Sequence, residues 1–186
     1  MNYLALSAFA FILSLVPFSV AISTSIYRCI VWKEALKIAF TFAVFQAGMT
    51  ALGWVIGFAV KGFLYSMAIP VAVLIIFLIG ARLFFDSVRF VREQRIMAVE
   101  NRRILLGFAL VTSINSTLLG MGLGIIYKEI LALIGFVFAM VFVMTILGIL
   151  AGKRGMMTLG RTMESLGGIG LLVISVIIIL QYLKIL

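Results

Sequence analysis

The chain has 186 residues, 65% of them hydrophobic and 11% charged, with 15 Lys and Arg against 6 Asp and Glu for a net charge of +9. A mean hydropathy of +1.33 excludes a water-soluble globular domain and places the chain in a lipid bilayer. A single cysteine and the absence of histidine exclude an intrachain disulfide, a multi-cysteine metal site and the usual near-neutral proton carrier.

Apolar runs of about twenty residues cross a hydrocarbon core roughly 30 Å thick. Such runs fall at Tyr3 to Tyr27, Leu36 to Val60, Phe63 to Phe85, Ile104 to Tyr127, Ile130 to Ala151 and Met163 to Leu183. The expected fold is an all-α integral membrane protein with six transmembrane helices. The first run lacks a basic n-region and is too long for a cleaved signal, so it is expected to stay as an anchor. Only the charged segment DSVRFVREQRIMAVENRR makes a long connection. It divides the chain into a three-helix unit at 1–85, a cytoplasmic linker at 86–103 and a second three-helix unit at 104–186.

Span one carries LSLVPFSVAI, with Pro17 near its middle and Ser19 beyond it. Proline has no N–H and clashes with the carbonyl four residues back, that of Leu13, so a helix break at Pro17, a kink or an opening that frees a backbone acceptor, is expected. Span two carries Gln46 and Thr50 on one face, then GWVIG with Gly53 and Gly57 four apart. Span three ends with Arg82 and Asp86 at the same four-residue spacing, which pairs side chains on a helix surface. Span four carries VTSINSTLLG, which places Thr112, Ser113, Asn115, Ser116 and Thr117 near mid-span. Span five ends LGILAGKR with Gly148 and Gly152, and Glu164 opens span six three residues after Arg161.

The basic residues set orientation. Arg28, Lys33, Lys37, Arg89, Arg92, Arg95, Arg102, Arg103, Lys153, Arg154 and Arg161 follow spans one, three and five, whereas only Lys61, Lys128 and Lys184 lie on the other side. By the positive-inside rule the first group is cytoplasmic and both termini are outside. The excess of positive charge is therefore topology, with no nucleic-acid partner implied.

Matching glycine pairs before basic residues in spans two and five, and small or hydroxyl residues in spans one and four, suggest two repeats. Because three is odd, the second would enter the membrane in the opposite sense. Transporters built as inverted repeats hold substrate near the midplane, where the repeats meet. None of the six carboxylates falls at mid-span, although an ionisable residue there is the usual mark of an ion path. The residues at that depth are neutral: Asn115, Gln46, Ser19, Ser113, Ser116, Thr117 and Thr50 are the binding candidates, with Asn115 and Gln46 able to offer carbonyl oxygens to a metal. This cluster reads either as interhelical hydrogen bonding or as substrate contact. Asp86 and Glu164 read either as interfacial ion pairs or as a cytoplasmic vestibule. The methionines read as apolar packing, and no nucleophile-base pair, phosphate loop or zinc motif points to an enzyme.

The motifs LSLVPFSVAI, FAVFQAGMTALGWVIG, FLIGARLFFDSV, VTSINSTLLG, TILGILAGKR and ESLGGIGLLVISVIIIL, in this order, resemble the MntP-type manganese efflux pump family. The resemblance implies a bacterial inner-membrane transporter of two inverted three-helix repeats, with Mn2+ as cargo, no cofactor and the bilayer as its surroundings. It also implies an aspartate after the Ser-hydrophobic pair of spans one and four. This chain has Val16 after Ser14 and Leu15, and Asn115 after Ser113 and Ile114. Mn2+ prefers hard oxygen ligands, often carboxylates, so the departure leaves two alternatives open: a neutral or less hydrated solute as cargo, or a membrane relative that does not transport.

Overall fold

A computed structural model describes residues 3–26, 30–64, 67–88, 102–126, 130–155 and 157–185. They form α1 (Tyr3–Ile26), α2 (Trp32–Leu64), α3 (Ala68–Val88), α4 (Arg102–Ile126), α5 (Ile130–Lys153) and α6 (Met157–Ile185), with no strand among the described residues. The six expected spans are these six helices. Five are long and apolar enough to cross a membrane; the apolar part of α6, Ser165–Leu180, is shorter.

Boundaries differ from the apolar runs where helices leave the hydrocarbon. At 33 residues, α2 is about 50 Å long at 1.5 Å per residue, so it begins before Leu36 and takes Phe63, which hydropathy assigns to span three. Its first turn is closed by the Val31 carbonyl, which accepts from the Glu34 and Ala35 amides at 2.9 and 3.0 Å. Likewise α6 starts at Met157 rather than Met163. Polar residues at these ends lower the hydropathy without ending the helix. At the end of α5, Gly155 adopts φ 73° and donates to the Gly152 carbonyl at 2.9 Å, a left-handed stop that glycine takes without penalty.

At Pro17 α1 does not open but runs through as one helix. Proline's fixed φ is itself helical, so what is lost is one hydrogen bond. Leu15, Val16 and Phe18 around it are buried. The linker's central residues, 89–101, and with them Glu93 and Glu100, lie outside the described residues.

α2 packs most extensively on α4, α1 on α5 and α3 on α6; α2 also meets α5, α1 meets α6 and α3 meets α4, while α1 and α4 barely touch. Exchanging α1 with α4, α2 with α5 and α3 with α6 leaves this set of partnerships unchanged. Lipid tails are as apolar as leucine, so close backbone packing rather than hydrophobic burial holds such helices together. A Cβ on Gly53 would overlap the Thr117 carbonyl, and one on Gly57 the Met121 carbonyl. In the counterpart interface, a Cβ on Gly148 would lie 2.6 Å from the Phe18 carbonyl oxygen and one on Gly152 2.5 Å from that of Ile22. The sequence offset that relates Phe18 to Thr117 and Ile22 to Met121 also relates Val16 to Asn115. The central helix is α1, with 72% of its span buried against 22% for α5.

Candidate functional site

Inside the bundle, α1, α2, α3, α4 and α6 enclose a small cavity. It is lined by Ile12, Leu13 and Val16 from α1, Gln46 from α2, Ile79 and Leu83 from α3, Thr112, Asn115 and Ser116 from α4, and Leu171 from α6. Its free volume, counted for water centres, is about 10 Å³, room for about one water.

Three buried oxygens in this lining have no hydrogen-bond partner: Gln46 Oε1, Asn115 Oδ1 and Ser116 Oγ. Gln46 is 1% exposed and Ser116 is fully buried. Most buried polar atoms find a partner, and leaving one unpaired costs about 1–3 kcal/mol. Three on residues that line one small cavity thus form an unmet demand. Two are amide carbonyl oxygens, which only accept. The unmet need of those two is for a cation or for N–H and O–H donors, whereas the Ser116 hydroxyl can both accept and donate. No lining residue is titratable. Among the described residues no group of three or more His, Cys, Asp or Glu is placed to hold a metal.

The structure separates the candidates read from sequence. Gln46, Asn115 and Ser116 come together with Val16, the α1 position matching Asn115. Thr50, Ser113 and Thr117 do not line the cavity; their hydroxyls donate to carbonyls one turn back on their own helices, at Gln46 (2.7 Å), Ala109 (2.5 Å) and Ser113 (3.2 Å). That bond satisfies a hydroxyl within its own helix. Ser19 is also absent from the lining, and its side chain lies beside Gly160 of α6. Asp86 and Glu164 belong to α3 and α6, but their side chains lie outside the described residues. Ile79, Leu83 and Leu171 were missed in the sequence because apolar lining reads like any core position. Thr112, read only as a neighbour of Asn115, is part of the wall, with its hydroxyl donating to the Ala109 carbonyl at 3.0 Å.

The family described as "Putative manganese efflux pump" matches residues 29–179. A "Putative manganese efflux pump MntP" of Methanoregula boonei is 30% identical over 165 residues, covering 89% of this chain and 88% of the relative. Its namesake in Gloeothece citriformis is 31% identical over 154 residues, with 81% and 80% covered. That of Crocosphaera subtropica is 26% identical over 165 residues, with 88% of each chain covered. No solved structure matches. Helix order, motif order and these matches agree, and the chain belongs to the MntP family of membrane proteins.

Proposed function

We propose that this chain is a multi-pass transporter that exports manganese across the bacterial inner membrane by alternating access, with the cavity at Gln46, Asn115 and Ser116 as its substrate contact. The observation that carries this reading is the convergence of three buried, unpartnered oxygens at the place where α1 and α4 come near each other. Hard oxygen ligands suit Mn2+, and the family's relatives are named for manganese efflux. With no carboxylate in the wall, the site holds its ion weakly, which favours release once the far side opens.

A cavity for one water cannot admit a hydrated ion, so passage requires the wall to part. The exchange-invariant packing supports two inverted repeats, but the closest backbone contacts run between repeats: α2 is fixed on α4 through Gly53 and Gly57, and α1 on α5 through Gly148 and Gly152. The moving bodies in this reading are those pairs, and the loosely packed α1–α4 seam opens to one side at a time. Charge bias puts the α1 C-terminus and α2 N-terminus in the cytoplasm and both chain termini outside.

A cell lacking its own manganese exporter should survive added Mn2+ better when it makes this protein, and its cell manganese should fall. Unchanged survival and content, with the protein present in the membrane, sink the proposal. The uncharged wall favours a second reading, a neutral or less hydrated solute. Thermal shifts of the purified protein with a panel of metals and small polar solutes separate the two.

A further inference from the structure

The three unpartnered oxygens are unevenly placed. They come from α2 and α4, whereas the α1 side of the wall is formed by Ile12, Leu13 and Val16, none of whose side chains has a polar atom. A cation held from two helices only would face hydrocarbon on the third. The main chain of α1 offers a remedy. In an unbroken helix the carbonyl of Leu13 accepts from the N–H of residue 17, and residue 17 is a proline inside α1. It has no N–H to give. Leu13 itself lines the cavity, so the acceptor that Pro17 leaves without a donor belongs to a residue of this wall.

Comparison with α4 shows how specific this is. The offset that matches Val16 to Asn115 matches Leu13 to Thr112 and Pro17 to Ser116, so the two helices bring equivalent turns to the cavity. On α4 the turn supplies side-chain oxygens. On α1 the same turn has an apolar side chain at Val16 and, one residue later, the one residue type that releases a main-chain oxygen.

We propose that Pro17 is a positioning residue whose missing N–H leaves the Leu13 carbonyl oxygen as the α1 ligand of the cavity, so that a partly dehydrated cation meets four neutral oxygens from three helices. The inference rests on the cavity being a cation site. It makes the site a carbonyl-rich one, able to bind a cation without a fixed negative charge.

The test uses the purified full-length protein and MnCl2 as the probe, with the metal-dependent rise in melting temperature as the readout. Two variants separate the N–H from the ring. Pro17→Ala restores an N–H that re-forms the bond to Leu13. Replacement of Pro17 by lactic acid, the α-hydroxy analogue of alanine, removes the ring but supplies no N–H. The Mn2+ concentration at the midpoint of the shift should rise about tenfold in Pro17→Ala, equivalent to about 1.4 kcal/mol, and stay at the parent's value in the lactic acid variant. A Pro17→Ala midpoint equal to the parent's overturns the inference, as does a lactic acid variant as weak as Pro17→Ala, because the ring would then matter and the acceptor would not. Should Pro17→Ala fail to fold, Pro17→Val, which restores the same N–H in a side chain closer to proline in volume, takes its place: a raised midpoint beside a parent-like lactic acid variant supports the inference, and a parent-like one overturns it. If the parent shows no Mn2+ shift, the cation-site reading fails first and this inference fails with it.

Discussion

Gln46 on α2 and Asn115 on α4 line one cavity, and the amide oxygen of each is buried without a hydrogen-bond partner. The two residues are far apart in sequence and are brought together by the α2–α4 interface, the most extensive in the bundle. An empty protein keeps such groups at a cost, so they are expected to trade stability for function. Gln46→Leu and Asn115→Leu each remove an unmet acceptor and should stabilise the substrate-free protein by about 1 kcal/mol. Both should abolish protection against manganese. Melting temperature and growth in added Mn2+ check the pair; a variant that melts lower and still protects contradicts the account.

Binding should be insensitive to pH. The wall holds no titratable side chain, and the chain has no histidine, the side chain that ordinarily changes charge between about pH 5 and 8. The Mn2+ midpoint of the purified protein should therefore stay level over that range. Val16→Asp adds a titratable carboxyl to the wall. Its charged form binds the cation, so the variant should bind more tightly than the parent at high pH and lose that gain as pH falls. A strong pH slope in the parent would point to a titrating ligand elsewhere.

The glycine contacts make an internally controlled prediction. Gly53→Val puts side-chain atoms into the Thr117 backbone and should destabilise by about 3 kcal/mol or more, as overpacking does. Gly48 lies on the same helix with nothing within 4 Å of its Cβ position. Gly48→Ala should be neutral or stabilising by about 0.5–1 kcal/mol. Equal melting temperatures for the two variants would mean that α2 and α4 are not in backbone contact.

The Ser25 hydroxyl crosses between helices. Ser25 Oγ donates to the Ile149 carbonyl at 2.5 Å, tying α1 to α5, whereas Thr145 donates to Val141 within α5 at 2.7 Å. Ser25→Ala should cost about 0.6–2 kcal/mol, the range for interhelical bonds in membranes. Thr145→Ala should cost less, because its helix stays intact without the bond. Thermal unfolding in one detergent compares them directly.

Much of the fold was legible in the sequence because crossing a bilayer takes a long apolar run, and runs of that length are hard to mistake. Helix ends were less legible: Lys33 and Glu34 lower hydropathy at the start of α2, yet the helix includes them. The site was half legible. Asn115 and Gln46 stand out as amides in apolar segments, but Thr50, Ser113 and Thr117 stand out equally and are satisfied by their own helix carbonyls. Sequence alone does not say which way a hydroxyl turns. Leu83 and Leu171 were invisible for the opposite reason, since nothing distinguishes an apolar wall from an apolar core. Pro17 was read as a kink or an opening; α1 runs through it as one helix, and the missing N–H is the part of the effect that the residue type alone dictates.

The most direct measurement is efflux of radiolabelled manganese from preloaded cells that lack their own exporter. Cells making this protein should lose the label faster than cells carrying empty vector, and Asn115→Leu and Gln46→Leu should return the rate to that of the vector. Efflux no faster than the vector's, with the protein confirmed in the membrane, or full efflux by both variants, would contradict the assignment of this cavity as the manganese site.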